Sequence, residues 1–231
     1  MRQVWRKGLL VSLAAAVPAV MAWGETVSAT VGMIRISTQT GPTVAIGSPF
    51  VDSTGAFESR LVAAQLALSS APGDKLSLWV GAHFNPYSLS DGAWRIHGTD
   101  TEIPEERLTD GTPGGFLLTR QTNDGEPAVI SGELSGADVV SVAIPPGTWR
   151  MFSPPYAAEL TAGSLADAGA TEEDRLKLWD ADSQSWDEFV LASGTWTGPE
   201  GAAPSLAPGT VFLFHNASGL DKTLTFGHPS R

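Results

Sequence analysis

The sequence predicts an all-β protein: two tandem, pseudo-symmetric modules, each β-sandwich or barrel-like, with at most short helices. Three observations predict it. Segments such as MIRIS (33–37) and KLSLW (75–79) alternate apolar and polar residues, the period of a strand with one buried face. Gly-Pro, Pro-Gly, Asp-Gly and Ser-Gly pairs bound these segments, and such pairs make tight turns. The pattern is also written twice. GDKLSLW (73–79) returns as EDRLKLW (173–179), with Asp74 facing Asp174, Lys75 facing Arg175 and a shared Leu-x-Leu-Trp, 100 residues apart.

In chain order, residues 1–24 come first and read as a signal peptide. Arg2, Arg6 and Lys7 form a basic start, an apolar run follows from Leu9 to Trp23, and small residues at Ala22 and Gly24 offer cleavage sites. The run is interrupted by Pro18 and falls short of the roughly 20 residues of a spanning helix. The mature chain is expected to begin at Trp23 or Glu25, with no transmembrane segment after cleavage. Module 1 then occupies residues 25–137 and module 2 residues 138–231. Within them GMIRIS faces VVSVAI, TVAIGSPF (43–50) faces TWRMFSPP (148–155), and LVAAQL (61–66) faces LTAGSL (160–165). Beyond the shared Trp, YSLSDGAW (87–94) faces FVLASGTW (189–196), TPGGFLL (112–118) faces APGTVFL (207–213), and AVISG (128–132) faces TLTFG (223–227). Only ESRLVAAQLALSS and AAELTAGSLADAG suggest helix. The second contains Gly163, so helices of one or two turns are expected.

Composition narrows the function. The chain has no cysteine, which excludes disulfides, thiolate metal sites and a cysteine nucleophile. Three of the 14 basic residues and none of the 25 acidic ones lie in residues 1–24, so the remainder carries 11 against 25, a net charge of −14. Such a surface repels phosphate backbones, and nucleic acid is excluded as a partner. With 42% hydrophobic residues the chain has enough apolar surface for a core.

Three sets of residues are candidates for a site. Trp79 and Trp179 lie on the strand face opposite their Leu pair, beside Lys75 and Arg175. Two roles are open to them: a platform for a sugar ring, with the cations donating to hydroxyls, or packing against a loop or the other module. At least one is expected to be a packing residue. Trp94 and Trp196, after their Gly turns, carry the same ambiguity. The second set is Asp180 and Asp182 in the hairpin WDADSQSWDE. Alternating oxygen ligands suit calcium, yet the spacing lacks the glycine and bidentate Glu of an EF-hand. An ordinary Asp-Ser turn is the expectation, with no tight calcium site and no cofactor. The third set is a loop: 18 residues separate Trp94 from Pro113, against 11 between Trp196 and Pro208. The seven extra residues are acidic, with Asp100, Glu102, Glu105, Glu106 and Asp110 nearby. A loop grown on one copy of a duplicated scaffold is either a specific contact or a tolerated surface insertion.

VGMIRIST…SPF, GDKLSLW, DGAW and APGTVFLFHN resemble the motifs of a group of exported bacterial β-repeat proteins. That group carries a strand ending in Pro-Phe, a Gly-Asp-x-Leu-x-x-Trp strand, a Gly-x-Trp turn and a Pro-Gly-x-x-Phe strand. The resemblance covers most of residues 27–228. It implies a β fold and a place outside the cytoplasm, and supplies no catalytic residues. Module 1 departs from it at VGAHFNPY, where the group has an Asp-rich turn like the DADSQSW of module 2.

The function expected is a non-catalytic, exported envelope or extracellular protein, structural or binding, with polysaccharide or envelope components as partners. No Gly-x-Ser-x-Gly, His-Glu-x-x-His or phosphate-loop pattern occurs. The alternative is a carboxylate-dependent glycoside hydrolase or lyase, whose paired acids are set by space and not by spacing.

Overall fold

A computed structural model describes residues 31–36, 41–109, 111–121 and 128–229. The signal-peptide expectation falls outside them, as does Asp110. The chain is mostly β, with 45% strand and 12% helix and several antiparallel sheets, and no closed barrel forms among the described residues. No helix among the described residues is long and apolar enough to cross a membrane.

The first half runs β1 (Val31–Ile36), β2 (Thr43–Gly47), β3 (Phe50–Val51), α1 (Ser59–Ser69), β4 (Lys75–Trp79), β5 (Phe84–Ser90), β6 (Ala93–Ile96), β7 (Gly115–Thr119) and β8 (Ala128–Leu134). The second runs β9 (Val139–Ile144), β10 (Trp149–Phe152), β11 (Leu160–Thr161), α2 (Ala162–Asp167), β12 (Arg175–Asp180), β13 (Ser185–Ala192), β14 (Thr195–Thr197), β15 (Ser205–Leu206), β16 (Phe212–His215) and β17 (Lys222–Gly227).

Each half holds one five-stranded antiparallel sheet. The orders are β2-β7-β4-β5-β6 and β10-β16-β12-β13-β14. Across each sheet's inner face lies a separate ladder, β1-β8 or β9-β17, and the core fills the space between. In the first half Ile34, Ile36 and Ile130 of the ladder meet Leu76, Tyr87, Trp94, Phe116 and Leu118 of the sheet. In the second, Val142, Ile144 and Leu224 meet Leu176, Phe189, Trp196, Phe212 and Phe214. The second core also takes in Val51 and Phe57 from before residue 60, so the packing crosses the expected boundary at residue 137.

The hairpin at the middle of each sheet keeps the register read from the sequence. Leu76 pairs with Tyr87 and Leu89 with Trp94, as Leu176 pairs with Phe189 and Leu191 with Trp196. The outer matches shift by one residue. Thr43 lies opposite Thr119, and Trp149 opposite His215; Lys75 also faces Thr119, and Arg175 also faces His215. Thr43 therefore corresponds to Trp149, and Ile46 to Phe152, both core residues. The ungapped match had paired Thr43 with Thr148 and Ile46 with Met151. A slip of one residue turns every side chain to the opposite face: Ile46 and Phe152 lie in the cores of their halves, whereas Met151 lies in a separate cluster, in keeping with the ladder register.

The helices differ from expectation in one respect. α1 has 11 residues, about three turns, because Val62, Ala63 and Leu66 bury one side of it. Gln65 also holds it to β8, donating to Ser131 O at 2.7 Å and accepting from Ser131 N at 2.8 Å. α2, with Gly163, is only six residues long and is held by a capping box between Thr161 and Ser164.

Candidate functional site

The strand face carrying Trp79 and Trp179 is turned inward, between the two large sheets. β7 (GFLLT) and β16 (FLFH) sit second in their sheets and are buried on both sides. Phe116 and Leu118 enter one core while Leu117 points the other way; Phe212 and Phe214 flank Leu213 likewise. Met151, Val211 and Leu213 form a third apolar cluster, with Ala45, Trp79, Phe84, Trp149 and Trp186 packed against it.

The contacts across this junction are reciprocal. Trp79 Nε1 donates to the carbonyl of Trp149 at 3.2 Å, and Trp179 Nε1 donates to the carbonyl of Thr43 at 2.8 Å. Thr43 and Trp149 are the corresponding positions, so each tryptophan makes the other's contact. The N–H of Gly47 donates to Gly209 O, and that of Ser153 to Pro113 O, both at 2.7 Å; these residues too correspond by register. Some corresponding positions meet each other directly. A Cβ on Gly115 would lie 2.3 Å from Val211 Cγ2, and one on Gly47 would lie 2.6 Å from Ser153 Cβ. Phe84 and Trp186, each paired with the repeated Trp of its own hairpin, stack with centroids 5.8 Å apart and planes 14° from parallel. In these places the two sheets thus meet through equivalent positions of their strand orders.

Trp79 and Trp179 are therefore half-buried packing residues. Trp179 packs edge-on against Trp186, and Trp79 against Phe84. Trp94 and Trp196 are 4% and 3% exposed. The rings of Trp94 and Trp196 are thus enclosed by the cores, while those of Trp79 and Trp179 keep part of their surface exposed. Trp94 Nε1 donates to Ala63 O at 2.8 Å and ties β6 to α1, while Trp196 Nε1 has no hydrogen-bond partner among the described residues. Lys75 and Arg175 are exposed at the sheet margins. Arg175 pairs with Glu188 at 2.8 Å, and Lys177 reaches the same carboxylate at 3.2 Å. Partial burial works against the ionised form of Glu188, but the hydrogen bonds and charges of Lys177 and Arg175 together outweigh it and hold its carboxyl below the usual range.

The acidic hairpin is a turn with a local purpose. Asp180 Oδ1 accepts from the N–H of Asp182 at 2.9 Å. The Ser183 hydroxyl, then that N–H, holds the Asp180 carboxyl below its ordinary pKa. Asp182 is exposed. No three His, Asp or Glu side chains group as metal ligands among the described residues. Gln184, at φ +55°, reaches across the junction instead: it accepts from Thr43 N at 2.6 Å and donates to Thr43 O at 3.1 Å.

The sequence comparison aligned Asp74 with Asp174 but gave neither a role. Both are buried, at 1% and 0% exposure. Asp74 accepts from the N–H groups of Ala71 and Gln121 at 3.0 and 2.7 Å; Asp174 accepts from those of Thr171 and Ala217 at 2.8 and 3.0 Å. Each carboxylate thus joins the turn before the Trp strand to the end of the neighbouring strand. Asp174 is also ion-paired with Lys222, which hydrogen-bonds Thr171 Oγ1 at 2.7 Å. The Gly-Asp and Glu-Asp signals were legible, but the burial that gives them meaning was not.

The clefts among the described residues include two of similar size. One, of about 300 Å³, lies beside α2 and is lined by Tyr156, Glu159, Ser164, Asp167 and Phe226 among others. The other, of about 330 Å³, lies on the β5–β6 hairpin, where the seven-residue insertion begins. Comparison with protein-family models, curated proteins and solved structures finds no match for this chain.

Proposed function

We propose that the protein is an exported, non-catalytic component of a bacterial envelope or extracellular layer, built from a duplicated β module and acting as a structural or binding element. The observation that supports it best is the reciprocal junction. Tryptophans 100 residues apart are used to lock two sheets of the same strand order face to face. Such a seam suits a rigid spacer or display scaffold, and in this reading the repeated aromatic face serves as the seam. Binding then belongs to surfaces in which the halves differ.

The test is expression of the full chain in a bacterial host, followed by fractionation, mass analysis and incubation with a polysaccharide panel. A soluble envelope or extracellular protein beginning at Trp23 or Glu25, which retains polysaccharide without shortening it, is expected. Intact Met1 in the membrane fraction would overturn export. For the hydrolase alternative, one location among the described residues is the cleft holding Glu159 and Asp167. Release of short saccharides that stops in both Glu159→Gln and Asp167→Asn would establish it.

A further inference from the structure

We infer that the cleft on the β5–β6 hairpin is a binding site for an uncharged, polyhydroxylated ligand of the saccharide class. The inference rests on the binding-protein reading above. Ser88 and Ser90 on β5 and Arg95 on β6 point away from the core side of their sheet, where Tyr87, Leu89 and Trp94 are buried. With His97, Thr99 and Asp100 they line a cleft of about 330 Å³. The last part of this wall belongs to the stretch between Trp94 and Pro113, which is seven residues longer than its counterpart in the second half.

The loop is a built turn. Ile96 N donates to Thr101 O at 2.8 Å, Thr99 N to Ile96 O at 2.9 Å, and Thr101 N to Thr99 Oγ1 at 3.1 Å. Arg95 and Glu102 add a β-bridge at its base. Such a turn holds the backbone of residues 96–101 in place before a ligand arrives, which lowers the ordering cost of binding.

The chemistry of the wall selects the ligand. Arg95 reaches Asp100 and Glu102 only at 3.5 Å each, the outer limit of a hydrogen bond. Its Nε is buried and has no hydrogen-bond partner among the described residues. Ser88 Oγ and His97 Nδ1 lie 3.4 Å apart. The long, weak contacts of the Arg95 guanidinium and the exposed carboxylate of Asp100 leave both able to engage a ligand, with hydroxyls and an imidazole beside them that can donate or accept. Adjacent hydroxyls on a sugar need this pairing, one donating to a carboxylate while its neighbour accepts from a guanidinium. Asp100 and Glu102 place two negative charges against Arg95 and oppose an anion, while Arg95 opposes a cation.

The experiment is titration of the isotope-labelled full chain with cellohexaose, xylohexaose and mannohexaose, followed by amide chemical shifts. A galacturonate trimer and inorganic phosphate serve as charged controls. Saturable shifts at residues 88–100 with one neutral hexasaccharide are expected, and none with the controls. Asp100→Asn and His97→Ala, both at exposed positions, should each weaken that binding at least tenfold and leave the melting temperature unchanged. Absence of binding by all three hexasaccharides, or tighter binding of a charged control, overturns the site. Neutral binding that survives both variants also overturns it, yet keeps the protein a binding protein. Binding lost in both variants, accompanied by shortening of the hexasaccharide, keeps the site and overturns the non-catalytic reading.

Discussion

The β4–β5–β6 and β12–β13–β14 regions share one register, yet they end differently. Leu76, Tyr87, Leu89 and Trp94 have counterparts of matching burial in Leu176, Phe189, Leu191 and Trp196. Below the Trp strand, the buried Asp74 and Asp174 accept N–H groups from the same two places. The halves then part. Asp174 has Lys222 opposite; the ladder position corresponding to Lys222 in β8 is Ala128. After Trp94 the chain builds a seven-residue extension with Arg95, Asp100 and Glu102, whereas after Trp196 it turns directly into Pro199–Gly201. The difference teaches where such a scaffold is free to change. Positions that fill a core or the seam are tied to two partners at once, while loops and the bonding beneath a turn can be solved in more than one way.

The largest test of this comparison is at the buried carboxylates. Lys222→Ala removes the ammonium facing Asp174 and leaves a buried charge unpaired, so a loss of about 3–5 kcal/mol is expected in urea unfolding. Asp74→Ala frees the N–H groups of Ala71 and Gln121 and should cost less, about 2 kcal/mol. Equal losses would mean that the two turns are held in the same way.

The seam comes next. Trp79→Ala and Trp179→Ala should each cost about 3 kcal/mol, read by thermal unfolding. Their double variant should depart from the sum by at least ~0.5 kcal/mol, because both act on one junction. Two fully stable variants would break the symmetric account and return these rings to ligand binding. Gly115→Ala sharpens it further. Its methyl would strike Val211, an overpacking worth about 1–3 kcal/mol, and Val211→Ala in the same chain should recover part of the loss.

A smaller effect concerns acid. Glu188 has a folded pKa below its ordinary value, so its share of stability is present above the unfolded pKa and is lost as pH falls through the folded one. Its side chain is 34% exposed, which limits that share to about 0.5 kcal/mol. Glu188→Gln should remove this part of the acid slope in unfolding titrations from pH 6 to 3. The smallest expected effect is at the acidic hairpin: millimolar calcium should leave the melting temperature unmoved in the natural chain and in Asp182→Ala alike.

What the sequence by itself determined was local. Alternation placed Leu76 and Leu78 on one face and Trp79 on the other, and the Gly turns fixed the central hairpins, because a two-residue period and turn chemistry act over a few neighbours. It also gave the β class and matched Trp79 to Trp179. Alternation, however, says which residues share a face and not what that face meets. Only the tertiary structure decided that the Trp79 and Trp179 faces close on each other, that Trp94 and Trp196 are enclosed by the cores, and that Asp74 and Asp174 are buried. It also decided the outer registers. One added residue before Val211 shifts β16 against β7, and only the partner strands, far away in the chain, choose between two pairings that a linear comparison scores alike. The unbroken FLL of β7 and FLF of β16 were the one linear sign of a sheet buried on both faces. The physical reason is range: a strand's own pattern is set by its pleat, but the partner of each face is set by contacts between residues about a hundred apart, which no local period records.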